Sequence, residues 1–236
     1  VGKTTTTVNL AAGLARIGKK VLVVDVDAQA NLSQCFGVRD CEPNIYNALK
    51  GQCPLPELKV SENIYLVPSH LNLSSAELEF SMEPGRENLL KGLLHGVKQN
   101  YDYVFIDCPP SLGLLTLNAL NVADRVLIPL QAQFLASQGL AKLIEIITKV
   151  KQRLNPNLEI GGIILTMYKK NTVLSRDISE FANKQFSDTI FRSKIRDNIS
   201  IAEAPAAGLD IFRYNSSSLG ALDYSNLSLE FLKRFD

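Results

Sequence analysis

The chain has 236 residues, 46% hydrophobic and 21% charged, with 14 Gly, 10 Pro and no Trp, a balance that excludes disordered and collagen-like chains. No apolar run approaches the ~20 residues of a membrane-spanning helix, and Cys35, Cys41, Cys53 and Cys108 form no CxxC pair, so we expect a cytoplasmic chain without a secretory leader. The net charge of +1 is unevenly spread. Residues 1–141 carry 11 Lys and Arg against 13 Asp and Glu, residues 142–213 carry 12 against 8, and residues 214–236 carry 2 against 3. A whole-surface polyanion binder would show a larger excess, whereas a basic patch doubled in a dimer need not.

In chain order, Val1-Gly2-Lys3-Thr4 reads as the second half of a phosphate-binding loop with no strand ahead of it. We therefore expect the first strand and the start of that loop to be missing. A helix over 4–17 follows, closed by Gly18. The β-branched run 20–27 reads as a strand buried on both faces, and 63–67, 101–107, 125–130 and 159–167 read alike. Helical patterns occupy 74–80, 87–99, 137–154, 173–186 and 219–235. Alternation at this spacing predicts an α/β fold, a doubly wound, mostly parallel sheet with helices on both faces. With no repeat, low-complexity tract or linker in view, residues 1–236 are expected to form a single domain.

The chemistry-bearing residues gather at helix starts and strand ends. Gly2 lets backbone approach a phosphate, Lys3 would reach the β- and γ-phosphates, and the Thr4 hydroxyl would ligate Mg²⁺. Asp107 ends the strand YDYVFID just before Cys108-Pro109-Pro110-Ser111, at the edge where open α/β sheets bind ligands. A carboxylate there can hold Mg²⁺ through its water shell. Asp25 and Asp27 stand two residues apart at the end of another strand, so both are expected to face one site.

VGKTTTTVNLAAGLA, VLVVDVDAQANLS, YDYVFIDCPPSLG and NISIAEAPAAGLDIFRYNSSSLGA together resemble the ParA branch of the ParA/MinD family of deviant Walker-A (P-loop) ATPases, essentially from end to end. The resemblance implies ATP and Mg²⁺ as cofactors. It also implies an ATP-sandwich homodimer that binds double-stranded DNA non-specifically, and a ParB-type activator that stimulates hydrolysis and releases the dimer. Plasmid or chromosome segregation would be the outcome, at the nucleoid of a prokaryote and without a membrane. By position, Lys3, Thr4 and Thr5 match the nucleotide-binding end of the loop, Asp27 the acid that positions the attacking water, and Asp107 the Walker-B acid. Thr166-Met167 and the loop 203–207, including Pro205, lie where the family holds adenine.

The departures are specific. The family's signature lysine would precede Val1, Ala28 replaces the proline of DxDPQ, Gln133 stands where many relatives carry Glu, and Ser200 replaces an Arg used as a DNA contact. Arg192, Lys194, Arg196 and Arg213 are the substitutes expected to form the DNA patch. The alternative is a MinD-like or cargo-positioning ATPase on a membrane or protein matrix, for which the amphipathic tail 224–235 would be the anchor. Its position after the EAP element favours a core-facing helix instead. A cluster-bearing redox relative would need a second cysteine at a strand end beside Cys108.

Overall fold

The computed structural model describes residues 2–131, 136–169 and 189–236. The helical pattern at 173–186 and the substitution at Gln133 lie outside the described residues. The first helix, α1 (Lys3–Arg16), opens on four consecutive threonines, each about 0.5 kcal/mol poorer than alanine in a helix. Burial holds it instead, with Val8, Leu10, Ala11 and Leu14 all in the core. Gly18, left-handed at φ 87°, donates to the Ala15 carbonyl while Lys19 donates to Leu14, which ends the helix.

β1 (Val21–Asp25) follows, then α2 (Asn31–Cys35), α3 (Ile45–Leu49), β2 (Leu58–Ser61) and β3 (Ile64–Val67). After them come α4 (Ala76–Glu79), α5 (Leu89–His95), β4 (Tyr103–Asp107), α6 (Leu114–Val122) and β5 (Arg125–Gln131). The described chain closes with α7 (Ala136–Arg153), β6 (Glu159–Thr166), α8 (Ile199–Glu203), α9 (Ile211–Tyr214) and α10 (Leu219–Phe235).

β1 is buried along its length and pairs in parallel with β3 on one edge and β4 on the other. Its alternate residues face opposite cores. Val21 and Val23 pack with α1 and α10, while Leu22 and Val24 pack with α3, α5 and α6. This is the two-sided cover that a continuous apolar strand requires. β2 adds an antiparallel edge, with its register broken between Lys59 and Ser61. β5 and β6 form a second parallel pair, covered by α7. Between β4 and β5 lies a cavity of about 1090 Å³, lined by Val104 and Ile106 from one strand, Val126 and Ile128 from the other, and Leu10 of α1. Among the described residues no strand pairs with either facing edge.

In the middle of the chain the helices are shorter than their sequence patterns suggest. The helix expected over 74–80 is the single turn α4 between 3-10 turns Leu71–Ser75 and Phe80–Met82, and that over 87–99 shortens to α5, with Gly96 capping it. At the other end, α10 buries Tyr224, Leu227 and Phe231 against the α1 core. Gly13 permits the approach, since a Cβ there would stand 2.0 Å from Ser228 Oγ. The apolar face of the tail is thus turned inward, as the core-facing reading requires. Among the described residues no helix is long and apolar enough to cross a membrane.

Candidate nucleotide-binding site

The site is built where α1 begins. Gly2 is left-handed at φ 85°, a conformation open to glycine at little cost, and its carbonyl accepts the first bond of the helix from Thr6 N–H at 2.9 Å. The N–H groups of Lys3, Thr4 and Thr5 precede that bond and have no partner within the helix. Gly2 abuts the end of β6, where a Cβ would lie 3.4 Å from Thr166 Oγ1. That hydroxyl is buried and has no hydrogen-bond partner among the described residues. Thr4 reaches the end of β4, donating its hydroxyl to Asp107 Oδ2 at 2.6 Å. The loop therefore sits at the carboxyl edge of the parallel strands, as expected.

Asp107 is 2% exposed. Burial raises its pKa to about 6, against the opposing effects of the Thr4 hydroxyl and the Lys3 charge. Its second oxygen, Oδ1, is buried without a partner among the described residues. A hydroxyl, a carboxylate with one free oxygen and a nearby ammonium form a hard-oxygen donor set that suits Mg²⁺ and, through the amides and Lys3, a polyphosphate. The residues fit the cofactors inferred from the sequence.

Asp25 and Asp27 do not share a face. β1 ends at Asp25, and Asp27 lies beyond it in a turn, so strand alternation no longer relates them. Asp25 is fully buried and points under the loop, accepting three hydrogen bonds from Ser33 and the Asp27 N–H. It needs no cation to satisfy it. Asp27 is half-buried, and its Oδ1 accepts the Gln29 N–H at 3.0 Å.

The remaining candidates are more spread out. Thr5 follows Thr4 in α1, and its carbonyl accepts from the Asn9 amide, while Asn9 Oδ1 accepts the Ile211 N–H and ties α1 to α9. Met167, left-handed at φ 50°, is 43% exposed beside Thr166. Pro205 is half-buried in the 3-10 turn Ala204–Ala207, next to α2. Arg192 is exposed, and Lys194 Nζ stands 4.4 Å above the Tyr168 ring. Arg196 is committed to Asp223 through its Nε and NH2, the closest contact being 2.6 Å. Arg213 pairs with Asp210, which also caps α9. Of the four basic residues, Arg192 is exposed, Lys194 is half-buried against an aromatic ring and two are held in ion pairs.

Two side chains at this site escaped the sequence reading: Ser33 and Ser69, both buried and bonded into the Asp27 loop. Single serines carry no periodic or spacing signal. Desolvation pushes the Cys108 thiol up to about 12, which keeps it protonated near neutral pH. Among the described residues no cluster of three His, Cys, Asp or Glu could hold a metal.

A family model described as an AAA domain matches residues 1–160. The chain is 42% identical over 235 residues to the sporulation initiation inhibitor protein Soj of Bacillus subtilis, covering 98% of this chain and 93% of that protein. To the chromosome-partitioning ATPase Soj of Treponema pallidum it is 40% identical over 237 residues, covering 99% and 93%. Its fold matches a cobyrinic acid a,c-diamide synthase from Mycobacterium smegmatis with bound ATP analog and magnesium. The TM-score is 0.86 at 30% identity, with 99% of this chain and 90% of that chain covered. Identity at this level along nearly the full length, on a phosphate-binding loop built as described, establishes kinship: the chain belongs to the ParA/Soj branch of the ParA/MinD family of P-loop ATPases.

Proposed function

We propose that this chain is a DNA-partition ATPase that dimerises with ATP, binds double-stranded DNA without sequence preference and leaves it when a ParB-type partner stimulates hydrolysis. The observation that carries the reading is the Thr4–Asp107 pair beside Lys3, with Asp107 Oδ1 buried and unpartnered. Gly2, Lys3, Thr4 and Thr5 would cradle the phosphates, and Met167 and Pro205 would flank the adenine. Thr4 and Asp107 would hold Mg²⁺, which supplies charge neutralisation on the phosphates. Phosphoryl transfer asks mainly for placement and electrostatics. Lys3 and the free amides of α1 supply the fixed positive field, and Asp27 orients the attacking water. DNA affinity rests on phosphate contacts from Arg192 and Lys194, without base readout. The protein works in the cytoplasm at the nucleoid, moving a plasmid or chromosome.

We read the chain as one ATPase domain. The apolar cavity between β4 and β5 supports a further strand leading into Gly2, since both facing edges are free among the described residues and all their neighbours run parallel.

Light scattering with and without Mg-ATP tests the switch. The wild-type chain and, more durably, Asp27→Ala are expected to shift to dimer, while Lys3→Ala stays monomeric. An Asp27→Ala chain that remains monomeric in Mg-ATP contradicts the proposal.

A further inference from the structure

Asp27 receives no support from a strand. β1 ends two residues earlier, and a loop of turn residues carries Asp27 on to α2. Besides the turn bond from the Ala30 N–H to the Asp27 carbonyl at 2.9 Å, the loop is held from three separate places in the sequence. The Asp25 carboxylate accepts the Asp27 N–H on Oδ1 at 3.2 Å, and on Oδ2 the Ser33 N–H and hydroxyl at 2.9 and 2.7 Å. The Ser33 hydroxyl oxygen accepts the Ser69 N–H at 3.0 Å. Ser69, two residues past β3, closes the circuit by donating its own hydroxyl to the Asp27 carbonyl at 2.7 Å. All three supporting side chains are buried, with 0% exposure for Asp25, 1% for Ser33 and 3% for Ser69.

One network therefore grips the N–H and the C=O of the same residue. With both peptide groups fixed, two side-chain torsions are left to place the Asp27 carboxylate, and the Gln29 N–H bond to Oδ1 at 3.0 Å restrains them in turn. Because its three side chains are buried, the hydrogen bonds of the network are stronger than they would be in water. It is also anchored to the metal-side strand, because Val26 N–H donates to the Asp107 carbonyl at 3.0 Å. A loop that only had to connect β1 to α2 would need no hydroxyl from a residue 42 positions away.

We infer that Ser69 and Ser33 are positioning residues of the ATPase site, setting where the Asp27 carboxylate stands through the peptide groups on either side of it. The inference rests on the reading of Asp27 as the water-orienting acid. Ser69 is the cleaner probe, since Ser69→Ala removes the hydroxyl and leaves in place the backbone N–H that Ser33 accepts.

The test compares wild type, Ser69→Ala, Ser69→Thr and Asp27→Ala in the full chain. Saturated hydrolysis rate, affinity for a fluorescent ATP analogue and melting temperature are measured for each. Ser69→Ala is expected to lower kcat about tenfold, with analogue affinity held within about twofold, because misplacement of a reacting group costs rate rather than binding. Ser69→Thr, which keeps the hydroxyl, is expected to recover most of that rate. An unchanged kcat in Ser69→Ala overturns the inference. So does a joint fall in kcat, affinity and melting temperature, which a purely structural hydroxyl would produce. If Asp27→Ala is inactive while Ser69→Ala is not, only this inference fails. If Asp27→Ala hydrolyses ATP like wild type, the reading of Asp27 fails and takes the inference with it.

Discussion

Thr4 donates its hydroxyl to Asp107 Oδ2 at 2.6 Å across 103 residues of sequence, while Asp107 Oδ1 stays buried with no partner among the described residues. A buried, half-satisfied carboxylate costs folding free energy, on the order of 1–3 kcal/mol for an unpaired polar atom. Such a cost at a strand end marks a place shaped for something other than stability. Asp107→Asn keeps the shape and removes the charge. We expect it to melt no lower than wild type without nucleotide, yet to lose the rise in melting temperature with Mg-ATP and at least about a hundredfold in hydrolysis rate. Thermal shift and steady-state hydrolysis check both halves, and a variant that keeps the Mg-ATP shift would dismiss Asp107 as a metal-side residue.

Asp25 makes a prediction about pH. Burial raises its pKa from an ordinary 3.8 to about 7, although Ser33 and the Asp27 amide pull the other way. Between these values the unfolded chain has released the proton and the folded chain retains it. Stability therefore falls as pH rises through this window, by up to about 1.4 kcal/mol per pH unit for one group. Asp107 contributes in the same direction up to about pH 6. In urea titrations at pH 4.5, 5.5 and 6.5, Asp25→Asn should flatten the decline without abolishing it. Equal slopes for variant and wild type would refute this assignment.

The basic residues divide by their partners. Arg196 and Arg213 are bound to Asp223 and Asp210, while Arg192 is exposed and Lys194 lies over an aromatic ring. With two phosphate contacts per subunit, a dimer should give a slope of log K against log salt of about −4, rather than the −7 or so that four contacts would give. Arg192→Ala should weaken DNA binding and reduce the slope. Arg196→Ala should instead lower stability, since it strands the buried Asp223. Salt-dependent binding paired with denaturation separates the two, and a slope near −7 would return Arg196 and Arg213 to the interface.

The parts of the structure legible in sequence were those with a repeating signal. β1 declared itself as an unbroken apolar run, α10 as a 3.6-residue stripe, and Gly2-Lys3-Thr4 with Asp107 as a loop and a strand end. α6 was invisible because LLTLNALNV is apolar almost all round, so it lacks the polar face that periodicity detects. β2 has four residues of mixed exposure, too few to establish an alternation. Asp25 and Asp27 do not share a face as their spacing suggests, because spacing fixes a shared face only while the strand continues, and this one stops at Asp25. The contacts of Ser69 and Asp223 depend on tertiary proximity, which no local pattern encodes.

The most direct measurement is duplex DNA binding by the full chain in the presence of ATP, ADP or no nucleotide, across a salt series, beside Asp27→Ala. We expect salt-sensitive binding with ATP alone, and binding that persists in the Asp27→Ala form because the ATP state no longer decays. Dimerisation by ATP without binding to DNA in any nucleotide state would contradict the proposed function.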